Sequence, residues 1–179
     1  MPARTLSRPL AAAAVLAAFG AVAVAATAPA EPGLARTAAK RITPQGVGAV
    51  HIGDRYRSLR RRGLVGRIGP GCELAPNTRS AKLKAPLKGQ VNFTQTTPRL
   101  VTDIIVLGGA KARGVGVGAR RRAIRKAFPK ARFDHSTEGV FGITLVKVPR
   151  RGGGPLQFAV STQTHRVTEI GVPFIAFCE

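Results

Sequence analysis

The chain has 179 residues, enough for one domain of ordinary size or for two small units that share a sheet. It carries 29 basic and 8 acidic residues, a net charge of +21, which favours anionic partners, although an arginine-rich genome could scatter charge in the same way. The two cysteines and three histidines do not form a closed set of metal ligands. We therefore expect no metal and no cofactor.

The first thirty residues have the pattern of a secretory signal peptide. Arg4 and Arg8 precede an apolar, alanine-rich run, and small residues precede Glu31. Cleavage after Ala30 would remove two of the 29 basic residues and leave a net charge of +19. The alternative is an uncleaved anchor, because the apolar run approaches the length that spans a bilayer. We expect a protein that is secreted or associated with the cell envelope, with residues 31–41 as a tether.

An internal repeat organises the rest of the chain. The stretch from Val50 to Leu64 returns sixty-five positions later as Val115 to Pro129. Two further blocks recur in the same order. These are Val91-Asn92-Phe93 with Leu156-Gln157-Phe158 at an offset of sixty-five, and Val101-Thr102-Asp103-Ile104 with Val167-Thr168-Glu169-Ile170 at sixty-six. The sequence thus predicts two units, residues 42–109 and 110–179.

Each unit is predicted to begin with a short strand and a helix. In the first unit Gly53 turns the chain, and Asp54 is the candidate N-cap of a helix over residues 55–62. In the second unit Pro129 ends the helix. Residues 63–89 are rich in glycine, proline and basic side chains, so we expect a loop or an irregular strand pair there.

Strands are predicted to follow each helix. In the second unit residues 141–148 and 155–161 have strand composition, and long strands are expected over 99–107 and 166–177. The predicted fold class is α+β, with two tandem copies of a unit made of a helix and antiparallel strands, and with the helices on one face of a sheet.

The two cysteines, Cys72 and Cys178, predict a disulfide that ties the first unit to the end of the second. The even cysteine count and the export signal support this pairing. Two separate buried thiols are the alternative.

The lead-in GVGAVHIGD at Gly46 to Asp54 and its echo GVGVGARRRAIRKAF at Gly114 to Phe128 resemble the tandem units of the β-lactamase inhibitor protein family. More loosely, the chain resembles small outer-membrane assembly lipoproteins and secreted actinobacterial proteins of unassigned role. In the inhibitor family an aromatic-rich concave sheet face grips an enzyme. This chain has no tryptophan and only Tyr56 as tyrosine, so the resemblance assigns inhibition to no residue here.

The best functional candidates are basic residues on the outer face of each predicted helix. They are Arg57, Arg60, Arg61, Arg122, Arg125 and Lys126. A solvated helix face is the alternative interpretation. Nucleic acid is an improbable target, because the chain lacks aromatics interleaved with the basic residues on which bases could stack.

Three other groups of residues contain side chains or turns that could take part in catalysis or ligand binding. Only the polar link at Asp134, His135, Ser136 and Glu138 combines acid, base and hydroxyl, but such a run is more typical of a solvated turn than of a catalytic site. The glycines from Gly114 to Gly118 fit no nucleotide-binding motif and favour tight turning over anion binding. Asp103 and Glu169 occupy matching positions and are expected to pair with basic neighbours.

The sequence therefore predicts a secreted, non-enzymatic binding domain at the cell envelope that contacts anionic polymers or lipids through its basic helix faces. A protein-binding module of the inhibitor type is the first alternative, and an uncharacterised hydrolase is the second. The sequence leaves the oligomeric state open.

Overall fold

A computed structural model describes residues 40–73, 77–149 and 154–177 of the protein. The predicted signal peptide, and the predicted tether up to residue 39, lie outside these residues. Described structure begins with β1 at Ile42–Thr43, which pairs with β2 at Gly46–Val47, and β2 pairs with β3 at Val50–His51. These three short strands form a small sheet of their own.

The first half continues through one helix and four strands. These are α1 (Tyr56–Arg61), β4 (Gly69–Pro70), β5 (Thr78–Lys82), β6 (Lys88–Thr94) and β7 (Val101–Gly108). The second half has β8 (Lys111–Ala112), β9 (Val115–Gly116), α2 (Arg121–Ala127), β10 (Arg132–Asp134), α3 (Glu138–Phe141), β11 (Ile143–Val148), β12 (Leu156–Ser161) and β13 (Val167–Val172).

An eight-stranded antiparallel sheet dominates the molecule, in the order β10-β11-β12-β13-β7-β6-β5-β4. The last strand of each half, β7 or β13, therefore lies at the centre of the sheet. In both halves the other strands follow towards the edge in reverse order of the sequence. Ile170 pairs with Val106, Gly171 with Ile105, and Val172 with Ile104. An offset of sixty-six residues exchanges the first and third of these pairs and maps the second onto itself. The two central strands are thus related by a local two-fold axis.

The core lies on one face of this sheet, because alternate residues of a strand point to the same side. Phe93 of β6 and Phe158 of β12, which match in the repeat, are both fully buried in one cluster. Leu59 of α1 and Ile124 of α2 are buried in the same cluster. One core therefore serves both halves.

The α+β prediction was wrong. Among the described residues strands predominate, and the three helices have six, seven and four residues. Each of the two longer helices buries a single residue, so burial by the large sheet, and not helix packing, forms most of the core. The glycine-rich segments that precede α1 and α2, and the early ends of these helices at Arg61 and Ala127, keep both helices short.

Two finer predictions also need correction, and a third is confirmed. Arg55 is the N-cap of α1 without a side-chain cap bond, while the Asp54 carboxylate accepts a hydrogen bond from the His51 amide at 2.8 Å. The irregular strand pair expected within residues 63–89 is present, because β4 pairs with β5 there. The last long strand ends at Val172, five residues before its expected end.

After Val172 the chain turns back over the other face of the sheet. The Ile175 amide donates to the Gln157 side-chain oxygen at 2.9 Å, and Ile175 packs with Leu145 and Ala159 in a second small core. Gly171 is needed beneath this segment, because a Cβ there would lie 2.3 Å from the Phe174 carbonyl oxygen. The segment then reaches Cys72, whose Sγ lies 3.8 Å from the Phe177 carbonyl oxygen.

Cys178 lies outside the described residues, so the disulfide stays a prediction. The contact of Cys72 with Phe177 places the neighbouring residue of Cys178 beside it. We expect no free thiol in the exported protein before reduction, and we expect Cys72→Ser to lower the free energy of unfolding by about 2–4 kcal/mol. Thiol titration with mass spectrometry checks the first point and chemical denaturation the second. Two titratable thiols in the native protein would refute the bridge.

The shared core predicts how the halves unfold. Leu59→Ala and Ile124→Ala should each lower the free energy of unfolding by about 2–5 kcal/mol, because each leaves a cavity in the core. Both should shift one common transition in chemical denaturation. Val140→Ala is the control, since this side chain is 74% exposed and its loss should cost less than about 0.5 kcal/mol. Two separate transitions, each sensitive to only one variant, would contradict a single core.

Candidate anion-binding surface

The two longer helices present basic residues to solvent. Because Leu59 and Ile124 anchor the inner faces of α1 and α2, residues one or two positions away point outward. All six sequence-predicted candidates are exposed: Arg57, Arg60 and Arg61 on α1, and Arg122, Arg125 and Lys126 on α2. The structure thus places three cationic side chains on each helix, and both helices border the same core.

The six residues differ in how firmly they are held. Arg60 donates from Nη1 to the Val65 carbonyl oxygen at 3.4 Å. The Arg125 guanidinium lies over the Phe133 ring at 4.8 Å from its centroid, and Arg121 lies over the same ring at 4.5 Å. This stacking orders two guanidinium groups around one aromatic ring. Arg121 is not among the candidates predicted from the sequence, although its spacing of four residues from Arg125 places both on one side of the helix.

Acidic side chains do not neutralise this surface. Across the described ranges, salt bridges join His51 to Asp54, His135 to Glu138 and Lys147 to Asp134. Lys147 is thus the one lysine or arginine of the described residues that forms a salt bridge. The six candidates on the helix faces therefore form no salt bridge with an acid of the described residues, a condition that favours binding of a polyanion.

The polar link in the second half forms two separate pairs. The Ser136 hydroxyl donates to Asp134 Oδ1 at 2.6 Å, and Lys147 Nζ donates to Asp134 Oδ2 at 2.7 Å. These bonds hold the pKa of Asp134 well below its usual range, with the Lys147 bond the largest cause. His135 Nδ1 lies 2.6 Å from Glu138 Oε1. Hydroxyl and imidazole are thus held by different carboxylates, an arrangement that does not activate Ser136 as a nucleophile.

Glu138 has a further partner in the Thr144 hydroxyl, which donates to the same carboxylate oxygen as His135 approaches. The Thr144 bond, followed by the His135 bond, lowers the pKa of Glu138. A general acid at neutral pH needs a raised pKa, so this carboxyl is shifted in the wrong direction for that role.

The glycine-rich lead-in of the second half is structural. Val115 and Gly116 form β9, and Gly118, at φ +84°, donates its amide to the Val167 carbonyl oxygen at 2.8 Å. Gly118 is the last glycine before α2, and its amide is already satisfied. The turn therefore docks the lead-in onto β13.

The two repeat-related acids lie on the sheet without basic partners. Asp103 is 2% exposed and accepts bonds from Asn92 Nδ2 at 2.7 Å and the Thr102 hydroxyl at 2.9 Å. Burial raises the pKa of Asp103 against the effect of these bonds, and burial also raises the pKa of Glu169. The expected pairing with basic neighbours was wrong, because neither acid forms a salt bridge with a described residue.

No family model, curated protein or solved structure matches this chain. The resemblance to the β-lactamase inhibitor protein family therefore stays a hypothesis. Within the described ranges, no cluster of three or more histidine, cysteine, aspartate or glutamate residues could hold a metal ion. The same residues contain no helix with the length and apolar character needed to cross a bilayer.

The buried Asp103 carboxylate predicts a pH effect of defined sign. The pKa of Asp103 is raised in the folded state. Asp103 therefore contributes most to stability at a pH below its usual pKa, and this contribution is lost as the pH rises through the raised pKa. Asp103→Asn keeps the shape and removes the charge, but it leaves one acceptor oxygen for the two donors, Asn92 Nδ2 and the Thr102 hydroxyl. The variant should gain stability relative to the parent as the pH rises from 3 towards neutrality, as measured by denaturation at several pH values.

Asp134→Asn is the control of opposite sign for this experiment. The pKa of Asp134 is lowered, so the carboxylate stabilises the fold above its usual pKa, and this stabilisation is lost as the pH falls. The Asp134 variant should therefore lose stability relative to the parent at neutral pH. If Asp103→Asn instead lost stability relative to the parent as the pH rises, the assignment of a buried, desolvated charge would be contradicted.

Proposed function

We propose that the protein is a secreted, non-enzymatic binding domain that attaches to an anionic polymer or lipid surface of the cell envelope through the basic faces of α1 and α2. One observation carries the proposal: all six basic candidates of the two helices are exposed, and none forms a salt bridge with a described acid. The predicted export signal supports the location at the envelope.

Electrostatic attraction of this kind has a measurable magnitude. A lysine or arginine near an anionic membrane surface contributes about 1 kcal/mol, and the attraction falls off within the Debye length, about 8 Å at physiological salt. Six exposed cations therefore suffice for binding at low salt. No single hydrogen bond dominates such an interaction, and specificity has to come from elsewhere.

A protein-binding module is the second candidate, supported by an apolar area on the opposite face of the sheet. Leu107 is 51% exposed and Phe174 is 42% exposed. Leu107, Phe141 and Phe177 also line one cavity of about 270 Å³, next to the stacked rings of Phe141 and Phe177. Exposed apolar residues of this size are the kind that anchor a protein partner.

A salt series distinguishes the two candidates. The purified mature protein is bound to whole cell envelopes, isolated wall polymers, and vesicles with and without anionic lipid, between low and high salt. The test variant replaces Arg57, Arg60, Arg122 and Arg125 with alanine. We expect at least a tenfold loss of affinity at low salt and a shallower dependence of log K on log salt, because fewer counterions are released.

A matched variant removes the same charge elsewhere. Replacing Arg67, Lys82, Lys84 and Lys88 with alanine deletes four exposed cations that belong to neither helix. This variant should bind more tightly than the helix variant at every salt concentration, and the melting temperatures of both should be compared with that of the parent. Binding that ignores both salt and the four helix substitutions would refute the proposal, and dependence on Leu107 and Phe174 would favour the protein-binding module.

A further inference from the structure

Two cavities lie where the strand hairpins meet the helices. In the first half the link between β6 and β7 meets the start of α1 around a cavity of about 410 Å³. Its lining residues are Arg55, Tyr56, Arg57, Thr97, Pro98 and Arg99. In the second half the link between β12 and β13 meets the start of α2 around a cavity of about 380 Å³. Its lining residues are Arg120, Arg121, Arg122, Thr164, His165 and Arg166.

The same backbone contacts build both cavities. In the first, the Tyr56 amide donates to the Arg99 carbonyl oxygen at 2.9 Å, and in the second the Arg121 amide donates to the His165 carbonyl oxygen at 3.0 Å. Adjacent bridges join Arg55 to Leu100 and Arg120 to Arg166. These contacts match at the offsets of sixty-five and sixty-six that relate the two halves. The cavities are therefore two copies of one feature of the fold.

Both cavities are strongly basic. Three arginines line the first cavity and four line the second, and no described residue that lines either cavity is acidic. Like charges this close together repel one another, so their clustering costs free energy unless an anion lies between them. Thr97 and Thr164 add one hydroxyl to each cavity.

Arg99 and Arg121 each lie in the wall of one of the two cavities. In the described structure their Nε atoms are buried and lack a hydrogen-bond partner. An Nε atom enclosed in this way is closed to a ligand oxygen, so an anion in either cavity would be bound through the terminal Nη groups of the arginines.

We propose that each cavity binds one phosphate group of a phosphodiester polymer or of a lipid headgroup, so that a single chain holds a polyphosphate ligand at two repeat-related sites. This inference rests on the proposed function and gives its basic surface defined binding sites. The planar guanidinium fork matches the oxygen geometry of phosphate, and the threonine hydroxyls supply further donors. Each cavity also exceeds the size of a phosphate ion, which leaves room for the linked alcohol or sugar.

Phosphate binding is tested by isothermal titration calorimetry with inorganic phosphate and with long-chain inorganic polyphosphate. We expect two phosphate sites per parent chain, one site after Arg99→Gln or Arg121→Gln, and none in the double variant. Polyphosphate should bind the parent at least about a hundredfold more tightly than phosphate does, because the second contact becomes intramolecular. Loss of either site should remove most of the difference in affinity between polyphosphate and phosphate.

Variants on the helix faces separate this proposal from the proposed function. Arg60→Gln with Arg61→Gln removes the same charge as the double cavity variant but should keep two phosphate sites. Envelope binding that is lost in this face variant while both sites persist would support the two proposals separately. Two phosphate sites in a parent that does not bind envelopes would sink the proposed function alone. Phosphate binding that survives the double cavity variant would overturn the inference.

Arg121 also stacks on Phe133, so Arg121→Lys provides a check that is independent of folding. Lysine keeps the charge but loses the fork, and the affinity of the second site should fall about tenfold while the melting temperature stays near that of the parent. Unchanged affinity in this variant would contradict recognition by the guanidinium.

A comparison of wall polymer with phospholipid vesicles shows which of them supplies the phosphate. Polyphosphate should displace the protein from the true source only, and the double variant should not bind that source.

Discussion

The pairing of β7 with β13 is the interaction on which the rest of the structure depends. Three register pairs join the two halves into one sheet, and the core beneath them is continuous across the junction. Neither half has a large sheet of its own, since each supplies four of the eight strands. The free energy that stabilises each half therefore comes largely from the other, as is usual for paired units of about this size.

The same pairing explains why the basic features come in duplicate. A local two-fold axis through Ile105 and Gly171 relates α1 to α2, and each hairpin link to its counterpart. The copies are not identical, because Tyr56 corresponds to Arg121. Tyr56 bonds to the Gly66 carbonyl and the Ile68 amide, while Arg121 stacks on Phe133. The two cavities share a position in the fold but differ in charge.

Sequence patterns predicted the positions of α1 and α2 well, because the start and end of a helix depend on local spacing. Leu59 and Ile124 recur at an offset of sixty-five, and both prove to be fully buried. The fold class was beyond the reach of that pattern, since strands as short as Gly69–Pro70 carry almost no periodicity. The cavities could not be predicted either. They require the link between β6 and β7, which carries Arg99, to lie beside Arg55, and this placement is set by strand pairing and not by spacing along the chain.

The strand order also has a consequence for how the protein is made. β13 follows every other strand in the sequence, yet it lies in the middle of the sheet, between β12 and β7. During synthesis from the N-terminus, β7 remains an open edge until β13 emerges, and open edges favour pairing with other chains. The sheet therefore cannot close before the last strand has been delivered. Repulsion between chains of like charge slows their association while the β7 edge is open, and this chain has a net charge of +21.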